Sequence, residues 1–201
     1  MLLALDTSSD YVSLALFDDL KLLAYDHQAM TTGQAEALFP MLQKLLKKTK
    51  LKPNDISCIA VAIGPGSFTG VRIGLATARA FVLALNIPII GITNFDVAAY
   101  DTKQPVTAVL DTKRGDFFVQ KFNKNGKATS QPIIQTSEQL AKSKPFVATG
   151  SGALSLSKDI GCTCISATVV PAVAIGYLAL TRPELHHPVT PLYLREANVT
   201  V

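Results

Sequence analysis

The 201-residue sequence has no tryptophan, three histidines and three cysteines, and only 7% of it is aromatic. Each shortage excludes something. Cys58, Cys162 and Cys164 cannot all pair, and Cys162-Thr163-Cys164 is too tight to bridge easily, so a reducing compartment is expected. A closed zinc site is not expected, because two thiols at this spacing lack the second ligand pair that tetrahedral coordination needs. His27, His186 and His187 are not spaced to share a site and are expected in ordinary strand-end and loop positions, while the cysteines are expected buried or idle. No apolar run approaches the roughly 20 uncharged residues of a membrane-spanning helix. The opening MLLALDTSSD has no basic residue ahead of its apolar run, which breaks at Asp6; it reads as a strand, and a cytoplasmic chain is expected. A net charge of +4 is too small for the dense Lys/Arg footprint of a dedicated nucleic-acid module.

What is present begins with a repeat. LALDTSSDYVSLALFDD, from Leu3 to Asp19, is echoed by AVLDTKRGDFFVQKFNKN, from Ala108 to Asn125. Each is an apolar strand ending in Leu-Asp-Thr, a polar turn, a second strand and another turn. Each copy opens a segment of about a hundred residues, a common domain size, so two similar halves are expected, 1–103 and 104–201, joined near Tyr100 to Pro105.

In the first half the strands are expected at Leu2 to Leu5, Tyr11 to Phe17 and Lys21 to Asp26. A helix over Gln34 to Lys48 follows, with the apolar stripe Ala35, Leu38, Leu42, Leu45 and Leu46 and with Pro40 forcing a late start or a kink. Ile56 to Ile63 reads as a strand buried on both faces. A helix from Gly70 to Leu85 and a strand from Ile87 to Ile92 complete an α/β half with an antiparallel start. The second half repeats that start and continues through a helix at Thr136 to Lys142, a strand at Pro145 to Thr149 and a helix at Val170 to Leu180.

The stretch IGPGSFTGVRIG, from Ile63 to Gly74, decides the functional class. A phosphate-binding P-loop needs Lys-Ser/Thr after its last glycine, but Val71 and Arg72 follow Gly70. A dinucleotide fingerprint lacks both its final glycine and the ribose-binding acid about 20 residues on. What remains is a Gly-Pro-Gly turn with Ser67 or Thr69 placed to cap the next helix. In that helix Gly70, Gly74 and Ala78 recur every four residues, as do Ala76, Ala80 and Ala84, giving approachable faces for either internal packing or a partner.

GPGSFTGVRIGLATARAF (Gly64 to Phe81), LALDTSS, VLDTKRGDFF (Val109 to Phe118) and PLYLR (Pro191 to Arg195) together resemble the bacterial TsaB family, also called YeaZ. The resemblance covers essentially the whole chain. It implies two tandem actin-like, sugar-kinase and heat-shock-chaperone ATPase subdomains. It implies a non-catalytic partner of the related subunit TsaD in forming threonylcarbamoyladenosine on transfer RNA beside the anticodon, with the ATPase TsaE as a further component. The partner face, used for TsaD or for self-association, is expected on the first two helices: Gly64, Pro65, Gly66, Ser67, Phe68, Thr69, Gly70, Arg72, Gly74 and Arg79, with Leu38 and Leu42.

In the ATPases of this superfamily the turn after the first strand holds phosphate through glycine amides, with an aspartate nearby for a metal. Asp6-Thr7-Ser8 keeps the acid without the glycine; Asp111 with Gly115, and Gly150 with Gly152, are the corresponding candidates in the second half. All are expected to be degenerate turns. No metal site or cofactor is expected, beyond ATP or ADP held weakly or trapped between partners. TsaD-like subunits hold a metal with two histidines on their first helix, and GQAEALFP has none, which argues against metal-activated hydrolysis. Relatives usually have a histidine where Gln34 stands. The rival reading is an independent ATP-dependent small-molecule kinase of the same fold. A third is direct capture of transfer RNA by the second half, with ten Lys/Arg against six Asp/Glu, compared with nine and nine in residues 1–103.

Overall fold

The computed structural model of the chain describes residues 1–143 and 145–195. They divide into two compact units, Met1–Thr93 with Val169–Leu192, and Asn94–Thr168 with the segment from Tyr193 onward.

The first unit opens with an antiparallel meander, β1 (Leu2–Ser9), β2 (Tyr11–Asp18) and β3 (Lys21–Ala29). Helix α1 (Gln34–Thr49), strand β4 (Cys58–Ala62), helix α2 (Phe68–Leu85) and strand β5 (Ile89–Ile92) follow. The sheet order is β3-β2-β1-β4-β5, with β4 parallel to both β1 and β5. Strands β1 and β2 are apolar almost throughout because helices cover both faces of the sheet. On one face Leu3, Leu5, Leu14 and Leu16 pack with Leu38, Met41, Leu42 and Leu45 of α1 and Val71 and Leu75 of α2. Each such leucine contributes about 1.5–3 kcal/mol of burial.

Helix α1 runs unbroken from Gln34 with Pro40 inside it. The exposed Pro40 costs one backbone hydrogen bond, and Leu38, Met41, Leu42, Leu45 and Leu46, all buried, hold the helix regardless.

The second unit contains α3 (Asn94–Ala98), β6 (Val106–Asp111), β7 (Phe117–Phe122), β8 (Ile133–Gln135), α4 (Ser137–Ala141), β9 (Val147–Thr149), α5 (Ala153–Ile160) and β10 (Thr163–Ile165). Its sheet order, β8-β7-β6-β9-β10, repeats that of the first unit strand for strand, antiparallel through the meander and parallel beyond it. The Leu-Asp-Thr echo therefore marks equivalent strands. Val109, Phe117, Val119, Leu140, Ala148, Ala153 and Leu156 form this unit's core.

The expected division at residue 103 is corrected at both ends. Helix α3 belongs to the second unit, and α6 (Pro171–Thr181), expected in the second half, belongs to the first. Residues 196–201 of the expected second domain lie outside the described residues. Helix α6 covers the other face of the first sheet. Gly176 is there because a Cβ would sit 2.1 Å from Cε2 of Phe17, and the Ala172 amide donates to Ser13 Oγ at 3.2 Å. Seven of its eleven residues are buried, which explains a helix apolar on all sides.

The hairpin turns and the outer face of helix α2

The Gly-Pro-Gly stretch answers to the end of β1. Beyond Asp6 the β1–β2 ladder shifts register before Ser9, and β4 pairs with β1 only as far as Leu5. Thr7 and Ser8 instead receive the start of α2. Ser67 N donates to the Ser8 carbonyl at 2.7 Å, and Thr7 Oγ1 donates to the Gly70 carbonyl at 2.7 Å. A Cβ on Gly66 would lie 2.3 Å from Ser8 O, and one on Gly70 would lie 2.1 Å from Thr7 O. At Gly74 it would meet Thr7 Oγ1 at 2.9 Å. Gly66 and Gly70 exist for backbone-to-backbone contact inside the unit, and Gly74 for close contact with the Thr7 side chain. Ser67 caps α2, accepting from Gly70 N at 3.3 Å, and Gly64, at φ +95°, uses a conformation that favours glycine.

That geometry corrects half of the expected partner face. Gly64, Pro65, Gly70, Gly74, Leu38 and Leu42 are buried in the first unit, so no partner can reach them. Gly66, Ser67, Thr69, Arg72 and Arg79 are exposed, and Phe68 is half-buried with the Arg72 guanidinium stacked 3.7 Å above its ring. Arg79 is partly committed, donating to the Val189 carbonyl at 2.7 Å. The second small-residue row, Ala76, Ala80 and Ala84, is the outward side of α2 and is exposed; Leu83 beside it, 88% exposed, was missed by the sequence reading. On α1, Phe39 is 50% exposed. Its place off the buried stripe of α1 was a readable signal. Among the described residues α2 is the one helix long and apolar enough to cross a membrane by length and composition, yet its glycine face is seated on β1.

The Asp6 carboxylate is 1% exposed and accepts three hydrogen bonds. Oδ1 takes Ser8 N at 2.8 Å and Ser8 Oγ at 2.5 Å, and Oδ2 takes the Tyr11 hydroxyl at 2.7 Å. Burial pushes the Asp6 carboxyl above the usual range, against these hydrogen bonds and the nearby His27. Burial also pushes the Tyr11 phenol well up, helped by the Asp6 charge. The His27 ring lies 5.0 Å from that of Tyr11, and its Nδ1 is buried without a hydrogen-bond partner. Gln34 donates to the carbonyls of Ser9 and Met30 at 3.4 and 3.3 Å, tying the start of α1 to the ends of β1 and β3.

In the second unit Asp111 N donates to Ser151 Oγ at 3.1 Å, and Asp111 Oδ1 accepts from Lys113 N at 2.7 Å. A Cβ on Gly150 would lie 2.7 Å from Val109 O, and one on Gly152 would lie 2.6 Å from Cδ1 of Phe117. Both glycines are thus explained by packing on β6 and β7. Gly115, at φ +82°, is required by its turn and has open space above it. Arg195 closes the turn from the far end of the chain, pairing with Asp116, whose other oxygen meets Thr112. Although burial raises it, the Asp116 carboxyl is held below the usual range by these two hydrogen bonds and the Arg195 and Arg114 charges.

Two units of one mixed five-stranded topology, with Asp6 in the first strand of one and Asp111 closing the first strand of the other, define a tandem actin-like fold. Residues 31–157 match the family model described as "TsaD: tRNA N6-adenosine threonylcarbamoyltransferase", and the chain belongs to that family. The chain is 31% identical, over 62% of its length, to a "tRNA threonylcarbamoyladenosine biosynthesis protein TsaB" of Buchnera aphidicola subsp. Schizaphis graminum, and 30% identical, over 62%, to the TsaB of Bacillus subtilis. The matched stretches span 61% and 56% of those relatives, so the chain matches less than two thirds of their length. The solved structure of YeaZ from Pseudomonas aeruginosa superposes with a TM-score of 0.79 at 22% identity, covering 96% of this chain and 99% of that one. The TsaB resemblance therefore stands on relatives that bear the name and on a shared fold.

Proposed function

We propose that this chain is a non-catalytic partner subunit in the formation of threonylcarbamoyladenosine on transfer RNA, binding a TsaD-like subunit through the outward sides of α2 and α1. The observation that carries this is the uncovered apolar side of α2, where Ala76, Ala80, Leu83 and Ala84 stand in the open beside Arg72. Helices α1 and α2 cover the same face of the sheet, so Phe39 and Leu83 point away from it together. Small alanines allow a second helix to approach closely, and Leu83, Phe39 and Arg72 are the residue types that anchor interfaces when desolvated. A relative of the same fold is the natural occupant, because the family match is to TsaD itself. The same face serves self-association when the subunit is absent. A TsaE-like ATPase is the further component, and the assembly works in the cytoplasm.

The non-catalytic role draws support from the state of the turns. At Asp6 both carboxylate oxygens are taken by donors of the chain itself, and the Ser8 amide, hydroxyl and carbonyl are engaged within the unit. Transfer RNA modification is reconstituted from a TsaD-like subunit, a TsaE-like ATPase, a threonylcarbamoyl-adenylate source and unmodified transfer RNA, with and without this chain. Product is expected only with it; equal product on omission rejects the role. Leu83→Asp is expected to weaken association with the TsaD-like subunit by about thirtyfold, a hot-spot loss of ~2 kcal/mol. An unchanged dissociation constant removes α2 from the interface.

A further inference from the structure

We propose that Asp6 is a positioning residue for the partner-facing helix: its buried carboxylate holds the β1–β2 turn in the shape that seats the N-terminus of α2. This inference rests on the docking role given above. Thr7 and Ser8 lie beyond the end of the β4 ladder at Leu5 and inside the irregularity of the β2 pairing, between Asp6, opposite Ser13, and Ser9, opposite Tyr11. Regular ladder pairing therefore does not set the shape of these two residues. Asp6 does so, drawing in the Ser8 amide and hydroxyl with one oxygen and the Tyr11 hydroxyl, from β2, with the other.

What Asp6 holds, α2 is moulded on. The Ser8 carbonyl receives Ser67 N, the residue that caps α2, and Thr7 receives the carbonyl of Gly70 on its hydroxyl. The clearances at Gly66 and Gly70 leave no room for a methyl group, so a shift of Thr7 or Ser8 must move the first turn of the helix. That first turn carries Phe68, and Arg72 at the start of the next turn stacks on its ring. An acid in the position of a metal-side aspartate is thereby put to a mechanical use: three donors close it, and the helix it orients is the docking element. Asp6 and Ser8 are buried and Tyr11 is half-buried, and a satisfied hydrogen-bond network out of solvent is rigid.

The test measures amide hydrogen exchange in the full chain and in Asp6→Asn, Tyr11→Phe and Asp6→Ala, with Leu46→Ala as a core control at the far end of α1. Asp6→Asn keeps an acceptor for Ser8 but turns a donor toward Tyr11, and Tyr11→Phe removes one donor, so both report even where Asp6→Ala does not fold. Exchange of the Ser67, Gly70 and Val71 amides is expected to accelerate about tenfold, with the Asn86 amide at the end of α2 unmoved. Affinity for the TsaD-like subunit is expected to fall about fivefold in Asp6→Asn and not in Leu46→Ala. Unaltered exchange at Ser67, Gly70 and Val71, or loss spread evenly through the unit as in Leu46→Ala, overturns the proposal. A wild-type chain that fails to bind the subunit sinks the docking reading alone, and the exchange pattern still decides whether Asp6 seats α2.

Discussion

Replacing Gly70 by alanine sets two physical effects against each other. Within a helix, alanine is favoured over glycine by about 1 kcal/mol, so on propensity alone the change stabilises. At Gly70, however, the new methyl carbon would stand 2.1 Å from the Thr7 carbonyl oxygen, 3.1 Å from its carbon and 3.2 Å from Ser8 Cα. All three are backbone atoms, and no side chain can rotate out of the way. The helix must withdraw, at an overpacking cost of about 3 kcal/mol, and it gives up the Thr7 hydroxyl bond to Gly70 O, worth about 1 kcal/mol. The balance is a loss of roughly 3 kcal/mol, since the clash outweighs the propensity gain. One helical turn further on, Gly74→Ala meets the side-chain oxygen of Thr7 at 2.9 Å, which can yield, and a net change near zero is expected. Urea denaturation followed by far-ultraviolet circular dichroism reads both variants. A Gly70→Ala protein as stable as wild type, or one equal to Gly74→Ala, refutes the account of the Gly-Pro-Gly stretch as a backbone contact.

Ser67→Ala removes the cap of α2 and is expected to lower stability by about 1 kcal/mol, with Ser67→Gly losing only a few tenths; equal effects would deny the cap. The Tyr11 phenol is raised by folding, so the native state keeps its proton where the unfolded chain releases it. Stability on that account is full below the unfolded value near 10 and falls as pH rises beyond it. Tyr11→Phe is expected to flatten part of that alkaline slope in urea titrations, and an unchanged slope disproves the assignment. Calorimetry of the isolated chain with magnesium-ATP is expected to show weak binding or none; tight binding with turnover would instead establish the small-molecule kinase reading.

The repeated strand-turn-strand pattern was legible because both sheets begin with a local meander whose apolar alternation and turns are written in consecutive residues. So was α2, whose cap and small-residue spacing lie within one stretch. The direction of its glycine face was not: spacing shows that something comes close, and only the break in the β1 ladder shows that it is Thr7. The surface then follows by elimination, with Leu83 and the alanines turned outward because the glycines turn inward. The role of Tyr11 was hidden as well, since its bond to Asp6 crosses a bulge that no period predicts. Helix α3, helix α5 and strand β10 are too short, at five, eight and three residues, for periodicity to separate them from loops.

The path of α6 bears on how the chain matures. Ser13 waits for an amide 159 positions downstream, so a ribosome releasing the polypeptide exposes one side of the opening sheet, Phe17 included, until almost everything else has been synthesised. A nascent fragment stopping after β5 would carry that greasy flank uncovered and invite chaperones or aggregation. Severing the gene at the apparent midpoint would therefore yield an incomplete front half.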